Sequence, residues 1–234
     1  MVDALTGVSF KCGISKMTDV DGNEYNTVQI GDQCWMRENL RTTKYANGTP
    51  ISNGGSNNSE TTPYYYDYAT SSIPLEERGY LYNWPAVMNG TSSSDAVPSG
   101  VQGICPTGWH VPSDAEWTQL TGYVSGQNQY VCGSDNTNIG KALAANSWWN
   151  SSTIECAIGN NLSGSNATGF SAVPAGIYNG TTFYFSRYYV YFWSSTEKDV
   201  TINAYLRQLY CNSAEVRRTS INENYGLSVR CLRD

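Results

Sequence analysis

The sequence has few charged residues, a single histidine and no long apolar run, and each shortage excludes a class of function. Asp, Glu, Lys and Arg make up only 15% of the 234 residues, and the net charge is -6. Since there is no basic stripe, we expect no nucleic-acid partner. One histidine, His110, is too few for a multi-histidine zinc or iron site. The apolar runs are far too short to span a bilayer, so we expect no membrane insertion.

The motifs of the common catalytic sites are also missing. The chain contains no G-x-S-x-G elbow, no G-x-x-x-x-G-K-S/T phosphate loop and no G-x-G-x-x-G fingerprint. Acidic pairs such as Glu76 with Glu77, or Asp114 with Glu116, can be matched on paper to glycoside hydrolysis. However, a solvated loop accounts for the first pair, and helix capping accounts for Glu116. We therefore predict no catalytic residue, no cofactor and no metal ligand.

Glycine, tyrosine and small polar residues take the place of the missing charges. The chain has 22 Gly and 18 Tyr, a profile typical of loop-rich β proteins that act outside a cell. Since we find no repeat and no linker, we predict one α+β domain over residues 18–234, preceded by an N-terminal tail over residues 1–17. We expect an extracellular, cell-surface or virion protein, although residues 1–5 lack the pattern of a signal peptide.

Seven cysteines are many for a cytosolic protein, and none sits in a C-x-x-C pair. Zinc-ribbon and thioredoxin-type sites are therefore disfavoured, and disulfides in an oxidising compartment are the better interpretation. We predict three disulfides: Cys12–Cys34 across an N-terminal hairpin, Cys132–Cys156 closing a local loop, and Cys105–Cys231 joining early and late chain. Cys211 is expected to be free.

Local signals predict a hairpin and two helices. Two short strands are expected at Tyr25–Ile30 and Gln33–Met36, separated by a turn. The S-D-A-E pattern of residues 113–116 is a capping box, which predicts a helix from Asp114 to Tyr123. A second helix is expected near Asn138–Ala145.

The last quarter of the chain, residues 174–234, is rich in tyrosine interleaved with Asn, Ser, Thr and Arg. This mixture is typical of antibody-like binding surfaces, because tyrosine offers a large contact with few rotatable bonds. A half-buried strand alternates apolar and polar residues, but Tyr184–Trp193 carries rings at adjacent positions. We therefore expect some of these rings to face solvent or a groove and to mark an interaction site. The alternative is that the tyrosines pack a β core. We assign four rings to the scaffold: Trp109, Trp117, Phe192 and Trp193.

Six segments carry a resemblance to a known family. They read, in order, D-V-D-G-N-E-Y-N-T-V-Q-I-G-D-Q-C-W-M-R-E-N-L-R-T-T, G-Y-L-Y-N-W-P-A-V-M-N-G, C-P-T-G-W-H-V-P-S-D-A-E-W, G-F-S-A-V-P-A-G, F-W-S-S-T-E and Y-G-L-S-V-R-C-L-R-D. Together they resemble the Fibrobacter succinogenes major paralogous domain, a family of gut and marine bacterial surface proteins, over about residues 20–234. The resemblance implies a C-type-lectin-like fold, the variant shared with formylglycine-generating enzymes. In that fold, two helices flank short antiparallel sheets, and long loops make a ligand face.

The resemblance brings no established catalysis. Formylglycine-generating enzymes bind copper with a close cysteine pair, whereas Cys211 and Cys231 stand twenty positions apart. The E-P-N or Q-P-D and W-N-D motifs of calcium-dependent lectins are absent. Calcium-mediated sugar binding therefore has no support in the sequence.

The tail also resembles the variable region of proteins diversified by a retroelement, in which template adenines are randomised and Asn codons yield Tyr, Ser, Asp, Thr or Ile. The resemblance places a variable region over about residues 176–225, with F-W-S-S and S-V-R-C as its constant frame. The residues then expected to bind ligand are Ile177, Tyr178, Tyr184, Phe185, Tyr188, Tyr189, Tyr191, Tyr205, Leu206, Tyr210, Asn212, Arg217, Thr219 and Ile221.

The leading hypothesis is a non-enzymatic binding module of the phage receptor-binding or bacterial adhesin type. Its partner would be a protein or a glycan on a cell surface. The alternative is a carbohydrate-binding, lectin-like surface protein in which tyrosine rings stack on sugars. A third hypothesis, an oxidase of the formylglycine-generating type, is disfavoured by the missing metal ligands.

Overall fold

The computed structural model describes residues 9–198 and 202–234 and shows a mixed α+β fold with few helices and several small, mostly antiparallel sheets. The strands of this described part are β1 (Met17–Thr18), β2 (Glu24–Tyr25), β3 (Thr27–Ile30), β4 (Gln33–Met36), β5 (Ser52–Asn53), β6 (Tyr64–Tyr66), β7 (Leu81–Tyr82), β8 (Trp109–His110), β9 (Ile177–Tyr178), β10 (Phe183–Tyr184), β11 (Tyr189–Glu197), β12 (Asn203–Tyr210), β13 (Arg217–Asn222) and β14 (Leu232–Arg233). Its α-helices are α1 (Leu75–Arg78), α2 (Trp84–Met88), α3 (Asp114–Ser125) and α4 (Gly140–Leu143).

A four-stranded sheet, in the order β3-β4-β14-β8, brings early and late parts of the chain together. β3 and β4 form the predicted hairpin, but the expected first strand is interrupted at Asn26, whose backbone N–H donates to Glu38 Oε2 at 2.7 Å. In the middle of the sheet, Leu232 of β14 lies opposite both Trp35 and His110. This sheet anchors the segment that follows the tyrosine-rich strands.

A three-stranded antiparallel sheet, β11-β12-β13, carries much of the tyrosine-rich segment. In β11, Val190 and Phe192 pack into one core cluster, while Tyr191 and Trp193 pack into the other. Every residue from 190 to 196 is buried. Our expectation that adjacent rings must leave some exposed is wrong within this strand, because a strand covered on both faces needs no alternation. It holds for the loop that precedes the strand, where Tyr188 is exposed.

The predicted capping box begins α3. Ser113 Oγ accepts from the backbone N–H of Glu116 at 3.1 Å, and Glu116 Oε2 accepts from the backbone N–H of Ser113 at 2.9 Å. Trp117 and Leu120 are buried, as this helix requires. The helix continues past the predicted end to Ser125.

Helix α4 covers only the middle of the helix expected near Asn138–Ala145. Before it, Asn138 O accepts from the backbone N–H of Cys132 at 3.0 Å and so closes a loop. After it, Ala144 is extended, with ψ of 144°, and bridges to Ala172 as a parallel strand would. These two contacts confine the helix to a single turn.

The three disulfides are those that the sequence predicts. Their Cα atoms lie 5.9 Å apart in Cys12–Cys34, 5.9 Å in Cys105–Cys231 and 5.5 Å in Cys132–Cys156, as ordinary disulfide geometry requires. Cys211 is free, as predicted, and the structure shows that it is buried. Three disulfides indicate a protein that matures outside the reducing cytosol.

Part of the expected N-terminal tail packs on the domain. β1 pairs with β2, and Cys12 is bonded to Cys34 of β4. The ring of Phe10 lies 5.9 Å from that of Trp109. Residues 9–17 are therefore attached to the fold, and residues 1–8 of the expected tail lie outside the described residues.

Arg230 ties several segments together from within the core, where it is fully buried. Its guanidinium donates to Asn39 Oδ1 at 2.8 Å, Met36 O at 3.0 Å, Phe170 O at 2.6 Å and Ser171 O at 2.9 Å. Burial lowers the pKa of Arg230 to about 9. The arginine of the S-V-R-C segment therefore acts in the scaffold, beneath the tyrosine-rich sheet.

Candidate ligand-binding face

A cluster of exposed aromatic side chains lies where β11 begins. Tyr184, Phe185 and Tyr188 are 44%, 52% and 46% exposed. Tyr189 and Tyr210 lie opposite each other on β11 and β12 and are half-buried beside them. We call these five residues the aromatic end. Exposed aromatic patches are candidates for interaction sites.

An unusual backbone conformation presents these rings. Phe185 and Arg187 have φ of 62° and 69°, in the left-handed region that bulky residues rarely adopt. Phe185 O accepts from the backbone N–H groups of Tyr188 and Tyr189, both at 3.0 Å, and Arg187 N donates to Pro174 O at 2.9 Å. Such strain persists only where the surroundings enforce it, and it clusters at functional sites. Backbone hydrogen bonds therefore fix the shape of this loop.

Gly176 lies directly under this loop. It has φ of 80°, and a Cβ at this position would overlap Tyr184 O and lie 2.8 Å from Ser186 N. Its backbone N–H donates to Tyr189 O at 2.9 Å. Only glycine permits both this conformation and this close approach. The last glycine of the G-F-S-A-V-P-A-G segment thus positions the exposed rings.

Several rings of the aromatic end contact one another, and one pair is stacked. Tyr189 and Tyr210 have ring centroids 4.2 Å apart and planes 6° apart. Tyr191 stacks on the buried side of Tyr189 at 5.5 Å, and Phe185 contacts Tyr189 at 5.1 Å. Such pairs contribute about 0.5–1.5 kcal/mol each beyond area burial. Burial, followed by the neighbouring Tyr210, raises the pKa of Tyr189, so the phenol of Tyr189 is uncharged at neutral pH.

Polar side chains border the aromatic end. Asn212 Nδ2 donates to Tyr210 Oη at 3.0 Å. Arg217 is exposed on β13, where it lies opposite Gln208. Its charge acts on Tyr189 and opposes the effect of burial on the pKa of that phenol. The face therefore offers rings, an amide and a guanidinium together, which is the chemistry of an adaptable protein or glycan contact.

Not all fourteen predicted residues reach this face. Four are between 1% and 9% exposed and pack in the core: Ile177, Tyr178, Tyr191 and Leu206. Tyr205 lies on the other face of β12, with the Arg218 guanidinium 3.8 Å above its ring. Residues an odd number apart on a strand point to opposite faces, which separates Tyr205 from Tyr210. Thr219 and Ile221 are half-buried on β13, farther along the sheet.

Two residues without a signal in the sequence also belong to this region. Gln208 lies between Tyr191 and Arg217 in the sheet register. Phe183 stacks on Tyr68, with centroids 4.6 Å apart. Strand register and long-range stacking place these side chains, and neither is visible in a local sequence pattern.

The single histidine lies between two acidic side chains. His110 Nδ1 lies 2.7 Å from Asp234 Oδ1, and its Nε2 lies 2.9 Å from Glu116 Oε1. Burial lowers the pKa of His110, but hydrogen bonds and charge from the two carboxylates outweigh this and raise it. Within residues 9–198 and 202–234, no three His, Cys, Asp or Glu side chains are grouped to hold a metal ion. No helix in the same ranges is long and apolar enough to cross a membrane.

Comparison with known proteins gives one match. The family model described as the Fibrobacter succinogenes major domain matches residues 28–233. Neither a comparison with curated proteins nor one with solved structures gives a significant match. The matched span contains the whole aromatic end and its supporting sheet.

Proposed function

The chain belongs to the Fibrobacter succinogenes major domain family, and from this premise we propose that it is a non-enzymatic binding module with a C-type-lectin-like fold. Its aromatic end contacts a protein or a glycan on a cell surface. The observation that carries this proposal is the exposure of Tyr184, Phe185 and Tyr188 on a loop held by backbone hydrogen bonds. Rings that are fixed before binding lose little conformational freedom on binding, which favours affinity.

The proposed fold rests on the arrangement of sheets as well as on the family. The described residues form several small sheets with few helices, and β14 pairs with both β4 and β8. The C-terminal strand is thus hydrogen-bonded to strands from earlier in the sequence. We propose that loops between these strands form the ligand-binding face. A solved experimental structure tests this arrangement; a closed barrel would reject it.

We place the protein on a bacterial cell surface, as an adhesin, or on a virion, as a receptor-binding protein. The disulfides support an oxidising environment. If a retroelement diversifies residues 176–225, changes should concentrate at exposed positions, because substitutions at Tyr178 or Leu206 would leave cavities in the core. Sequencing the locus in related isolates tests this, and substitutions spread evenly over residues 20–234 would reject it. Residues 199–201 of this region lie outside the described residues.

The lectin-like alternative uses the same surface. The exposed rings of Tyr184 and Phe185 lie 5.9 Å apart at 41° and offer faces on which a sugar can stack. An oxidase of the formylglycine-generating type remains disfavoured, because Cys231 is bonded to Cys105 and cannot pair with the buried Cys211 around copper. Stoichiometric copper or iron in purified protein would revive it.

A capture experiment tests the proposed function. Wild-type protein is presented to bacterial surface proteins and, in parallel, to a glycan array. The triple variant Tyr184→Ser, Phe185→Ser, Tyr188→Ser should lose capture. The control, Tyr123→Ser, removes a ring that is 42% exposed on α3 and should retain capture. Glycan capture alone would favour the lectin-like alternative, and undiminished capture by the triple variant would reject the aromatic end as the contact surface.

A further inference from the structure

A cavity lies at the other end of the three-stranded sheet. β11 ends at Glu197, and Glu223 directly follows β13. The cavity has a volume of about 570 Å³, within the range that holds a small ligand. On β12, the positions opposite Tyr189 and Glu197 are Tyr210 and Ala204, which are six residues apart, or about 20 Å at strand spacing. The cavity is therefore distinct from the aromatic end.

Glu223 is buried in this cavity, and one of its carboxylate oxygens makes no hydrogen bond to the residues that the structure describes. The residue is 6% exposed, and its Oε1 has no hydrogen-bond partner in the described part of the chain. The backbone holds it in place, since Glu223 N donates to Ile202 O and Trp84 N donates to Glu223 O, both at 2.9 Å. A buried carboxylate without a partner is destabilising. This oxygen is suited to a ligand that donates hydrogen bonds to it.

Two more carboxylates line the same cavity. They belong to Glu60, which is exposed, and to Glu197, which is half-buried. Glu60 Oε1 accepts from Asn222 Nδ2 at 3.0 Å. Burial, followed by the charges of Glu197 and Glu60, raises the pKa of Glu223 to about 7. A positively charged ligand would relieve this repulsion and hold Glu223 in its ionised form.

Apolar side chains form another part of the wall. Trp84, Pro85 and Met88 of α2 line the cavity. The indole N–H of Trp84 already donates to Ser194 O at 2.9 Å, so its contribution to a ligand is apolar and aromatic contact. Such a wall accommodates an aliphatic stem, and an indole attracts a cation. A bare metal ion fits less well, because the described residues provide no group of three suitably placed ligands.

We propose that this cavity binds an organic cation, an ammonium or guanidinium group on a short aliphatic stem, with Glu223 as its main partner. Glu60 and Glu197 add attraction, while Trp84 and Met88 contact the stem. The same chemistry could come from a free amine or from a lysine or arginine side chain of a protein partner. This proposal goes beyond the binding function of the aromatic end, and either can fail without the other.

Calorimetric titration with agmatine tests the proposal, with N-butylurea as an uncharged analogue of similar shape. Wild-type protein should bind agmatine and not N-butylurea. Glu223→Gln should weaken agmatine binding by about tenfold or more, which corresponds to ~1.4 kcal/mol. Glu215→Gln, an equal charge change at an exposed position between β12 and β13, should leave affinity unchanged. No binding of agmatine, equal binding of the two compounds, or full affinity in Glu223→Gln would overturn the proposal.

A second variant and a change of pH guard against misinterpretation. If Glu223→Gln fails to fold by circular dichroism, the double variant Glu60→Gln, Glu197→Gln should still weaken agmatine binding, and its failure to do so counts against the proposal. Agmatine affinity should rise between about pH 6 and pH 8, as Glu223 loses its proton. Among the described residues, the charged groups that act on Glu223 are Glu197 and Glu60. Lys198 directly follows Glu197 in the sequence.

The source of the cation is distinguished by a peptide, acetyl-Gly-Arg-Gly-amide. Affinity equal to or above that of agmatine assigns the cavity to a side chain of a protein partner, and lower affinity assigns it to a free amine. The triple variant of the aromatic end should bind agmatine as the wild type does. Loss of agmatine binding in that variant would contradict the separation of the two sites.

Discussion

Two regions of the tyrosine-rich segment differ in what covers them. In the scaffold region, Phe192, Trp193 and Arg230 are at most 1% exposed, because core clusters lie on both faces of β11. In the aromatic end, Tyr184 and Phe185 belong to the same kind of composition yet are about half exposed. Aromatic content alone therefore does not separate packing from binding. The two regions differ in whether a packed layer covers their rings.

The largest effect should come from the scaffold region. Arg230→Met removes the donor to four acceptors in the core, so we expect the free energy of unfolding to fall by about 4 kcal/mol. Arg217→Met, at an exposed position bordering the aromatic end, should change it by less than ~0.5 kcal/mol. Urea denaturation measures both values. An equal decrease in the free energy of unfolding in Arg230→Met and Arg217→Met would contradict the difference between the two regions.

Glu223 sharpens the comparison, because it is nearly as buried as the scaffold residues, yet its Oε1 has no hydrogen-bond partner among the described residues. Its pKa rises from an ordinary value of 4.5 to about 7 in the folded protein. Stability from this group is therefore full below about pH 4.5 and is lost as pH rises through about 7, a change of ~3 kcal/mol. Unfolding measured across this range should show the loss in wild-type protein and in Glu215→Gln. Glu223→Gln should abolish it, and an unchanged slope in that variant would contradict the assignment.

Gly176 links the two regions, since it belongs to the scaffold but supports the exposed loop. Gly176→Ala places a Cβ against Tyr184 O at a left-handed φ, which should destabilise the fold by about 2 kcal/mol. It should also displace Tyr184 and Phe185 and reduce ligand capture. Gly90→Ala provides the control, because Gly90 also has a positive φ but nothing lies within 4 Å of its added Cβ. If Gly176→Ala lowers the free energy of unfolding but leaves ligand capture intact, the position of Tyr184 and Phe185 does not depend on Gly176.

The stack within the aromatic end should have a small but measurable energy. A double-mutant cycle on Tyr189→Ala and Tyr210→Ala should give a coupling of about 1 kcal/mol in unfolding free energy. The exposed pair Tyr184 and Phe185, whose rings are 5.9 Å apart at 41°, should couple less. A coupling energy near zero between Tyr189 and Tyr210 would show that their stacking does not stabilise the aromatic end.

The parts of the fold with local causes could be predicted from the sequence. The capping box of Ser113 and Glu116 needs only a spacing of three residues, and it begins a helix as expected. The hairpin of β3 and β4 follows from local turn chemistry, and the predicted Cys12–Cys34 disulfide attaches the preceding segment to it. The break at Asn26 could not be predicted in this way, because its partner Glu38 lies across the hairpin.

The burial of individual tyrosines could not be predicted from the sequence. Tyr178 is buried because it stacks on Tyr66, with centroids 4.1 Å apart, and Tyr66 is more than a hundred residues earlier in the chain. Tyr205 is not part of the aromatic end because the strand register places it on the other face of β12. A one-residue slip in register would move it to the opposite face. The acidic cavity could not be predicted from a local pattern either, since tertiary contacts bring Glu60, Trp84 and Glu223 together from separate segments.

Hydroxyl-radical footprinting of the protein, free and with its captured ligand, tests the central claim most directly. It measures the solvent reactivity of each ring in both states. We predict that Tyr184, Phe185 and Tyr188 lose reactivity on binding, while Tyr123 on α3 keeps it. Unchanged reactivity of those three rings in the complex, with protection elsewhere, would contradict the claim that the aromatic end is the binding surface.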